Sequence, residues 1–101
     1  MPKTHFALKL IPPRATFIQD MTADERNIMQ QHQVYWRKLL ADGIVLVYGP
    51  VLDPAGPYGF GIVAVDSEEQ LKQLMAVDPA NGLNKYEWYP MMAVVHPSFT
   101  G

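Results

Sequence analysis

His32 is the residue of this chain whose type and position best suit acid–base chemistry. Imidazole titrates closest to neutral pH among the common side chains, so it can take up or release a proton during a reaction. At 100° per residue, His32 falls near the centre of an apolar arc of a predicted helix, with Ile28, Tyr35, Trp36 and Leu39. This position predicts a partly desolvated imidazole that needs a hydrogen-bond partner. A core histidine bonded to a backbone carbonyl is the alternative, and for an isolated histidine it is favoured by about two to one.

Asp78 is the carboxylate that we expect to pair with His32. It follows the second predicted helix, at an end where the helix dipole disfavours a negative charge unless a donor or cation offsets it. The structural alternative is that Asp78 only begins an Asp-Pro turn with Pro79. His32 lies ten residues into its helix, roughly 15 Å from the helix start. A direct or water-mediated hydrogen bond therefore requires the second helix to end partway along the sheet or to cross the first.

Further candidates lie in the loops and among the aromatic residues. Arg14 is the candidate for binding an anionic substrate group, although a lone loop arginine is more often solvated. Tyr35 and Trp36 are candidates for lining a pocket for an aromatic ligand, although core or dimer packing is the commoner use of such residues. Asp53 is interpreted as a turn residue. The three histidines form no i, i+4 pair and the chain has no cysteine, so we expect neither a metal site nor a cofactor.

Composition excludes several classes of partner. The chain has 101 residues and a formal net charge of -2, and its eight Lys and Arg form no basic run that would bind nucleic acid. No apolar stretch approaches the ~20 residues of a membrane-spanning helix. The N-terminus lacks the pattern of a signal peptide. We therefore expect one cytoplasmic domain over residues 1–101 that binds neither nucleic acid nor membrane.

The apolar periodicity predicts six elements in the order β-α-β-β-α-β. Thr22 and Glu25 form a capping box at the start of the first helix, and Ser67 with Gln70 forms another at the start of the second. Residues 14–21 and 49–57 are predicted loops. The order indicates an α+β, ferredoxin-like fold with a four-stranded antiparallel sheet and two helices on one face. The predicted elements span residues 5–11, 22–41, 44–48, 58–65, 67–77 and 85–95.

Two of these strands are apolar on both faces. Residues 44–47 and 62–65 contain no polar side chain, whereas a solvated antiparallel face normally alternates polar with apolar residues. Two short helices cover only one side of such a sheet. A second copy of the sheet is the simplest cover for the other side. The pattern predicts a homodimer of face-packed sheets that closes as an α/β barrel.

The chain resembles the YCII-related (YciI-like) family over essentially its whole length. The helix that carries His32 leads through Leu-Leu-Ala-Asp-Gly at 39–43 into Val-Tyr-Gly-Pro at 47–50. Gly-Phe-Gly-Ile follows at 59–62, and Asp78-Pro79 follows the second helix. Each motif is short, so the order of the motifs carries the resemblance. The loop over residues 12–21 is longer than in short family members and is expected to reshape the mouth of the pocket.

The resemblance implies a dimeric α/β barrel with a His–Asp active-site pair, which falls on His32 and Asp78. It also implies kinship with dehydrochlorinases and related lyases that act on ring compounds. The leading hypothesis is a cofactor-independent lyase or isomerase in which His32 transfers a proton on a small, cyclic molecule and Asp78 orients the imidazole. The alternatives are a non-catalytic small-molecule-binding domain and a cofactor-free monooxygenase. Substrate contacts are expected from Arg14, Tyr35, Trp36, Gly49 and Pro50.

Overall fold

The computed structural model describes residues 3–98. Its four strands form one antiparallel sheet in the order β2-β3-β1-β4. This arrangement of two split β-α-β units is the ferredoxin-like one, which confirms the predicted α+β fold. The elements are β1 (Thr4–Ile11), α1 (Phe17–Asp20), α2 (Ala23–Ala41), β2 (Val45–Val51), β3 (Tyr58–Val65), α3 (Glu68–Ala76) and β4 (Lys85–Met91).

Three features differ from the prediction by more than one residue. The predicted loop over residues 14–21 contains the single-turn helix α1. Strand β2 continues through Gly49 and Pro50 to Val51, where a loop was expected. Because β2 is an edge strand, Pro50 needs no amide donor for an outer neighbour, so a proline is tolerated there. Strand β4 ends at Met91, four residues earlier than expected.

Helix α2 begins at the predicted capping box. The hydroxyl of Thr22 accepts from the Glu25 amide at 3.1 Å, and the Glu25 carboxylate accepts from the Thr22 amide at 2.9 Å. Beyond the other end, Gly43 has a φ of 79°, which side chains rarely allow. The reciprocal box predicted for α3 is only half present. Ser67 accepts from the Gln70 amide, but the side chain of Gln70 accepts from the Asp66 amide instead of that of Ser67.

Helices α2 and α3 cover the same face of the sheet. A β-bulge between Val45 and Val47 places these two valines on opposite faces of the sheet, although they are two residues apart. Val45 is 2% exposed beneath the helices, whereas Val47 is 55% exposed and pairs with Ile62 on the opposite face. No helix in residues 3–98 is long and apolar enough to cross a bilayer. The core contains Phe6, Leu8, Trp36, Leu39, Val45, Val63, Val65, Leu71 and Met75.

Candidate active site

A cavity of about 660 Å³ lies on the helix-covered side of the sheet, beside α2 and the strands β2 and β3. That volume is within the usual range for small-molecule sites. Leu8, Leu10 and Trp36 form much of its apolar wall, together with residues of the loop after β1. Gly59 and Gly61 also line it, and their lack of side chains lets the cavity reach the backbone of β3.

Gly61 determines how closely Trp36 approaches the sheet. A Cβ atom at position 61 would lie 2.9 Å from Cζ3 of Trp36, closer than such contacts occur. The indole therefore packs directly on the strand. Its ring lies between those of His32 and Tyr48, with centroids 5.8 Å and 5.5 Å away. A glycine at this position thus sets the location of one wall of the cavity.

His32 and Asp78 form a buried pair at the back of the cavity. Nδ1 of His32 lies 2.8 Å from Oδ1 and 2.9 Å from Oδ2 of Asp78, and the two residues are 6% and 3% exposed. The predicted proximity of these residues is confirmed. The imidazole also lines the cavity, so His32 is not sealed within the core.

The length of α3 brings the two residues to the same height above the sheet. The fold topology makes α2 and α3 antiparallel, so α3 begins near the sheet end at which α2 finishes. Helix α3 has nine residues, and His32 likewise lies nine residues before Ala41, the last residue of α2. At ~1.5 Å per residue, both lengths are about 13 Å. Asp78 therefore follows α3 at the level of His32, which is how the second helix ends partway along the sheet.

Asp78 accepts hydrogen bonds from four directions. Besides His32, the donors are the Trp36 indole at 3.0 Å, the Ala80 amide at 2.9 Å and the hydroxyl of Tyr86. Burial alone raises the pKa of Asp78, but these hydrogen bonds more than offset it and hold the pKa below its ordinary value. Burial, and then the neighbouring carboxylate, raises the pKa of Tyr86, so this phenol stays protonated and donates. The site thus holds an ionised carboxylate at neutral pH.

This carboxylate fixes the orientation and tautomer of His32. An ionised carboxylate only accepts hydrogen bonds, so Nδ1 of the imidazole carries the proton. In the neutral ring Nε2 then has the free lone pair. Nε2 has no hydrogen-bond partner in residues 3–98, yet no buried side-chain nitrogen or oxygen there lacks one. Nε2 is therefore accessible from the cavity, where it can take a proton from a bound molecule.

Comparison with known proteins places the chain in a family. The model of the YCII-related domain matches residues 10–94, which include both members of the His32–Asp78 pair. The chain belongs to the YCII-related family. No curated protein matches it.

Three of the five substrate contacts expected for this YCII-related protein lie at the cavity. Trp36, Gly49 and Pro50 line it, the last two because β2 continues past its predicted end. Tyr35 does not line it. Its hydroxyl donates to the carbonyl of Leu74 on α3 at 2.7 Å, so this tyrosine joins the two helices.

Arg14 does not line the cavity either. Its guanidinium binds both carboxylate oxygens of Glu25, at 3.0 Å and 2.8 Å, and one oxygen of Asp20 at 2.8 Å. The hydrogen bond from Arg14 lowers the pKa of Glu25 to about 2. Arg14 therefore anchors the loop after β1 to the start of α2. The expectation that it binds a substrate anion fails because two carboxylates of the chain occupy its donors.

Sequence reasoning did not single out Asn84, Arg26 or the role of Tyr86, although all three line the cavity. From the sequence, Tyr86 is, like Tyr35 and Trp36, an aromatic residue that can line a pocket but more commonly packs in the core or a dimer interface. The alternation along β4 offered a signal, since Tyr86 pairs with Leu10 and Trp88 with Leu8 on the helix-covered face. Asn84 precedes β4 and gave no signal. Asp53 accepts from the amide of Ala55, as its interpretation as a turn residue predicted. Among residues 3–98, no three His, Asp or Glu side chains form a group suited to a metal ion.

Proposed function

We propose that this YCII-related protein is a cofactor-independent enzyme of the lyase or isomerase type. The proposal rests on the different environments of the two nitrogens of the His32 imidazole. Nδ1 of His32 is bound to a buried carboxylate, while Nε2 is accessible from a cavity of about 660 Å³. A structural histidine in the core needs neither the open nitrogen nor the cavity.

In the proposed reaction, Nε2 of His32 takes a proton from a carbon or hydroxyl of the bound molecule. The electron pair of the broken bond moves to the neighbouring atom, and Asp78 stabilises the imidazolium. In an isomerase, the imidazolium returns the proton to another atom of the same molecule. In a lyase, the electron pair expels a leaving group and the imidazolium later loses its proton to water. One positioned acid–base group accelerates such a step about 10²–10⁴-fold.

The proposal includes a homodimer, which would bury the face of the sheet opposite the helices. Val47, Ile62, Ala7 and Tyr89 form one row across the four strands on that face. Val47 and Tyr89 are 55% and 56% exposed, so this row presents apolar side chains to solvent, beside a row that contains Lys9 and Glu87. Light scattering at micromolar concentration should give twice the chain mass of 11.4 kDa. A mass equal to one chain would contradict the proposed dimer but would not affect the proposal for the cavity, which lies within a single chain.

A turnover screen with His32→Asn tests the activity. The substrates are chlorinated and hydroxylated quinols and lactones, and the matched control is His96→Asn, which changes an exposed histidine outside the cavity. We expect wild type and His96→Asn to turn over the same compound, and His32→Asn to lose at least 10²-fold in rate. Binding without turnover would identify a binding domain instead. Oxygen consumption would identify a monooxygenase. The proposed cytoplasmic location is tested separately by cell fractionation.

A further inference from the structure

Arg26 is an exposed cation on the wall of the cavity, and it has no counter-ion within residues 3–98. It lies in the first turn of α2, where the helix dipole disfavours positive charge. Its recorded hydrogen bond is a long one of 3.3 Å to the carbonyl of Met21, which also lines the cavity. No ion pair within residues 3–98 involves Arg26, and neighbouring Glu25 is already bound by Arg14. Most of its five N–H donors thus lack a partner in the described chain.

Two glutamines extend this polar wall along α2. Gln30 and Gln33 follow Arg26 at i+4 and i+7, so the three side chains share one face of the helix. All three line the cavity. Neither glutamine side chain forms a hydrogen bond within residues 3–98. All three side chains are exposed to solvent, so this wall offers a row of N–H donors, headed by a full positive charge, that a ligand can reach.

Asn84 is a second polar group directed at the cavity. It is 5% exposed, and its Nδ2 donates to the sulfur of Met29 at 3.2 Å. Its Oδ1 has no partner in the described chain, yet no buried side-chain oxygen there is unsatisfied. Oδ1 is therefore accessible from the cavity. An almost fully buried amide with one open polar atom is costly unless a ligand or water satisfies it.

We propose that the ligand of this cavity is a ring-sized organic anion. Its carboxylate binds Arg26 at the mouth, its ring packs against Trp36, and a hydroxyl or carbonyl at the far end meets Asn84 and His32. Arg26 and His32 are six residues apart, about 9 Å along the helix axis. One substituted ring together with the arginine side chain spans that distance. This assignment rests on the cavity that the proposed function uses, and it names the substrate class.

The charge of the ligand is tested with two probes of nearly equal shape, 4-hydroxybenzoate and its neutral amide, 4-hydroxybenzamide, by calorimetric titration at pH 7. The variant is Arg26→Gln. Arg37→Gln is the matched control, since Arg37 is exposed on the same helix and does not line the cavity. We expect Arg26→Gln to weaken benzoate binding at least tenfold, the loss expected for a charge-assisted hydrogen bond, and to leave amide binding within twofold. Arg37→Gln should alter neither.

Three results of this titration would overturn the anionic ligand. The amide binds wild type as tightly as the benzoate, both arginine variants weaken the benzoate equally, or neither probe binds at millimolar concentration. The proposed contact between Asn84 and the hydroxyl of the ligand is tested with Asn84→Leu, which should weaken the binding of both probes alike. Unchanged affinity would show that the ligand does not contact Asn84. The rate loss of His32→Asn is a separate readout. Turnover of neutral compounds that depends on His32 would refute the proposed anionic ligand but not the proposed enzymatic activity.

Discussion

The two faces of the sheet differ in what surrounds their apolar residues. On the helix-covered face, a histidine and an aspartate lie deep within apolar packing, and every polar atom of the carboxylate is hydrogen-bonded. On the opposite face, Val47 and Tyr89 are exposed, and the row that they form with Ile62 and Ala7 is uncharged. The first pattern is typical of chemistry and the second of association. Both faces are apolar, so hydrophobicity alone does not distinguish them. The helix-covered face is distinguished by a buried, hydrogen-bonded polar pair that leaves one nitrogen accessible.

Removing the carboxylate should have the largest effect on the helix-covered face. Asp78→Ala leaves the imidazole, the phenol and the Ala80 amide without their acceptor and removes one of the two acceptors of the indole. We expect a loss of about 3–5 kcal/mol in unfolding free energy. Urea denaturation measures it. Asp53→Ala, which removes an acceptor from one loop amide, is the control and should cost about 1 kcal/mol or less. Equal losses would show that the buried hydrogen bonds of Asp78 stabilise the fold no more than the single loop hydrogen bond of Asp53.

Acid should weaken the same network to a smaller extent, because protonation keeps the group in place. The pKa of Asp78 is lowered in the folded protein, so its ionisation contributes stability above the ordinary value of 3.8, and this is lost as the pH falls through the folded value. We expect wild type to lose stability more steeply than Asp78→Asn below about pH 4. Denaturation midpoints across this range measure the difference. Parallel curves for the two proteins would show that Asp78 does not stabilise the fold through its charge.

A methyl group on β3 tests how tightly the cavity wall is packed. Gly61→Ala places Cβ against Trp36 and Tyr48, and overpacking of this kind costs about 1–3 kcal/mol. The displaced indole should also weaken ligand binding. Gly49→Ala is the matched control for stability, because a Cβ atom there meets nothing within 4 Å. If thermal denaturation gives the same midpoint for both variants, Trp36 does not depend on the glycine.

A charge on the bare face should change assembly and leave the fold of each chain nearly unaffected. Val47→Lys places an ammonium in the apolar row, and we expect light scattering to report a monomer of 11.4 kDa. Its effect on monomer stability should be within about 0.5 kcal/mol, as for other surface substitutions. Val34→Lys is the control, since Val34 is 71% exposed on α2. If Val47→Lys remains a dimer, the dimer interface does not lie on this face.

Local patterns in the sequence were sufficient for the four strands, the two long helices and their order, but not for the single-turn helix α1. Thr22 and Ser67 have the side chains that cap helices, Gly43 permits the turn after α2, and the change between apolar periods marks each strand. These signals act over a few residues, so they do not depend on distant parts of the chain. The β-α-β-β-α-β order then allowed few topologies, which is why a ferredoxin-like antiparallel sheet could be predicted before the structure. His32 stood out because a polar residue interrupts an apolar arc.

The tertiary structure decided which side chains meet at the cavity. Arg14 and Arg26 are both basic residues near the start of α2, and only the fold shows that carboxylates of the chain occupy the first and not the second. The contact between His32 and Asp78, which the family resemblance implied, depends on α3 being as long as the part of α2 that follows His32. Tyr86 and Asn84 join the site from a strand and a loop more than fifty residues after His32. Such contacts depend on packing between elements distant in sequence, and no local pattern carries that information.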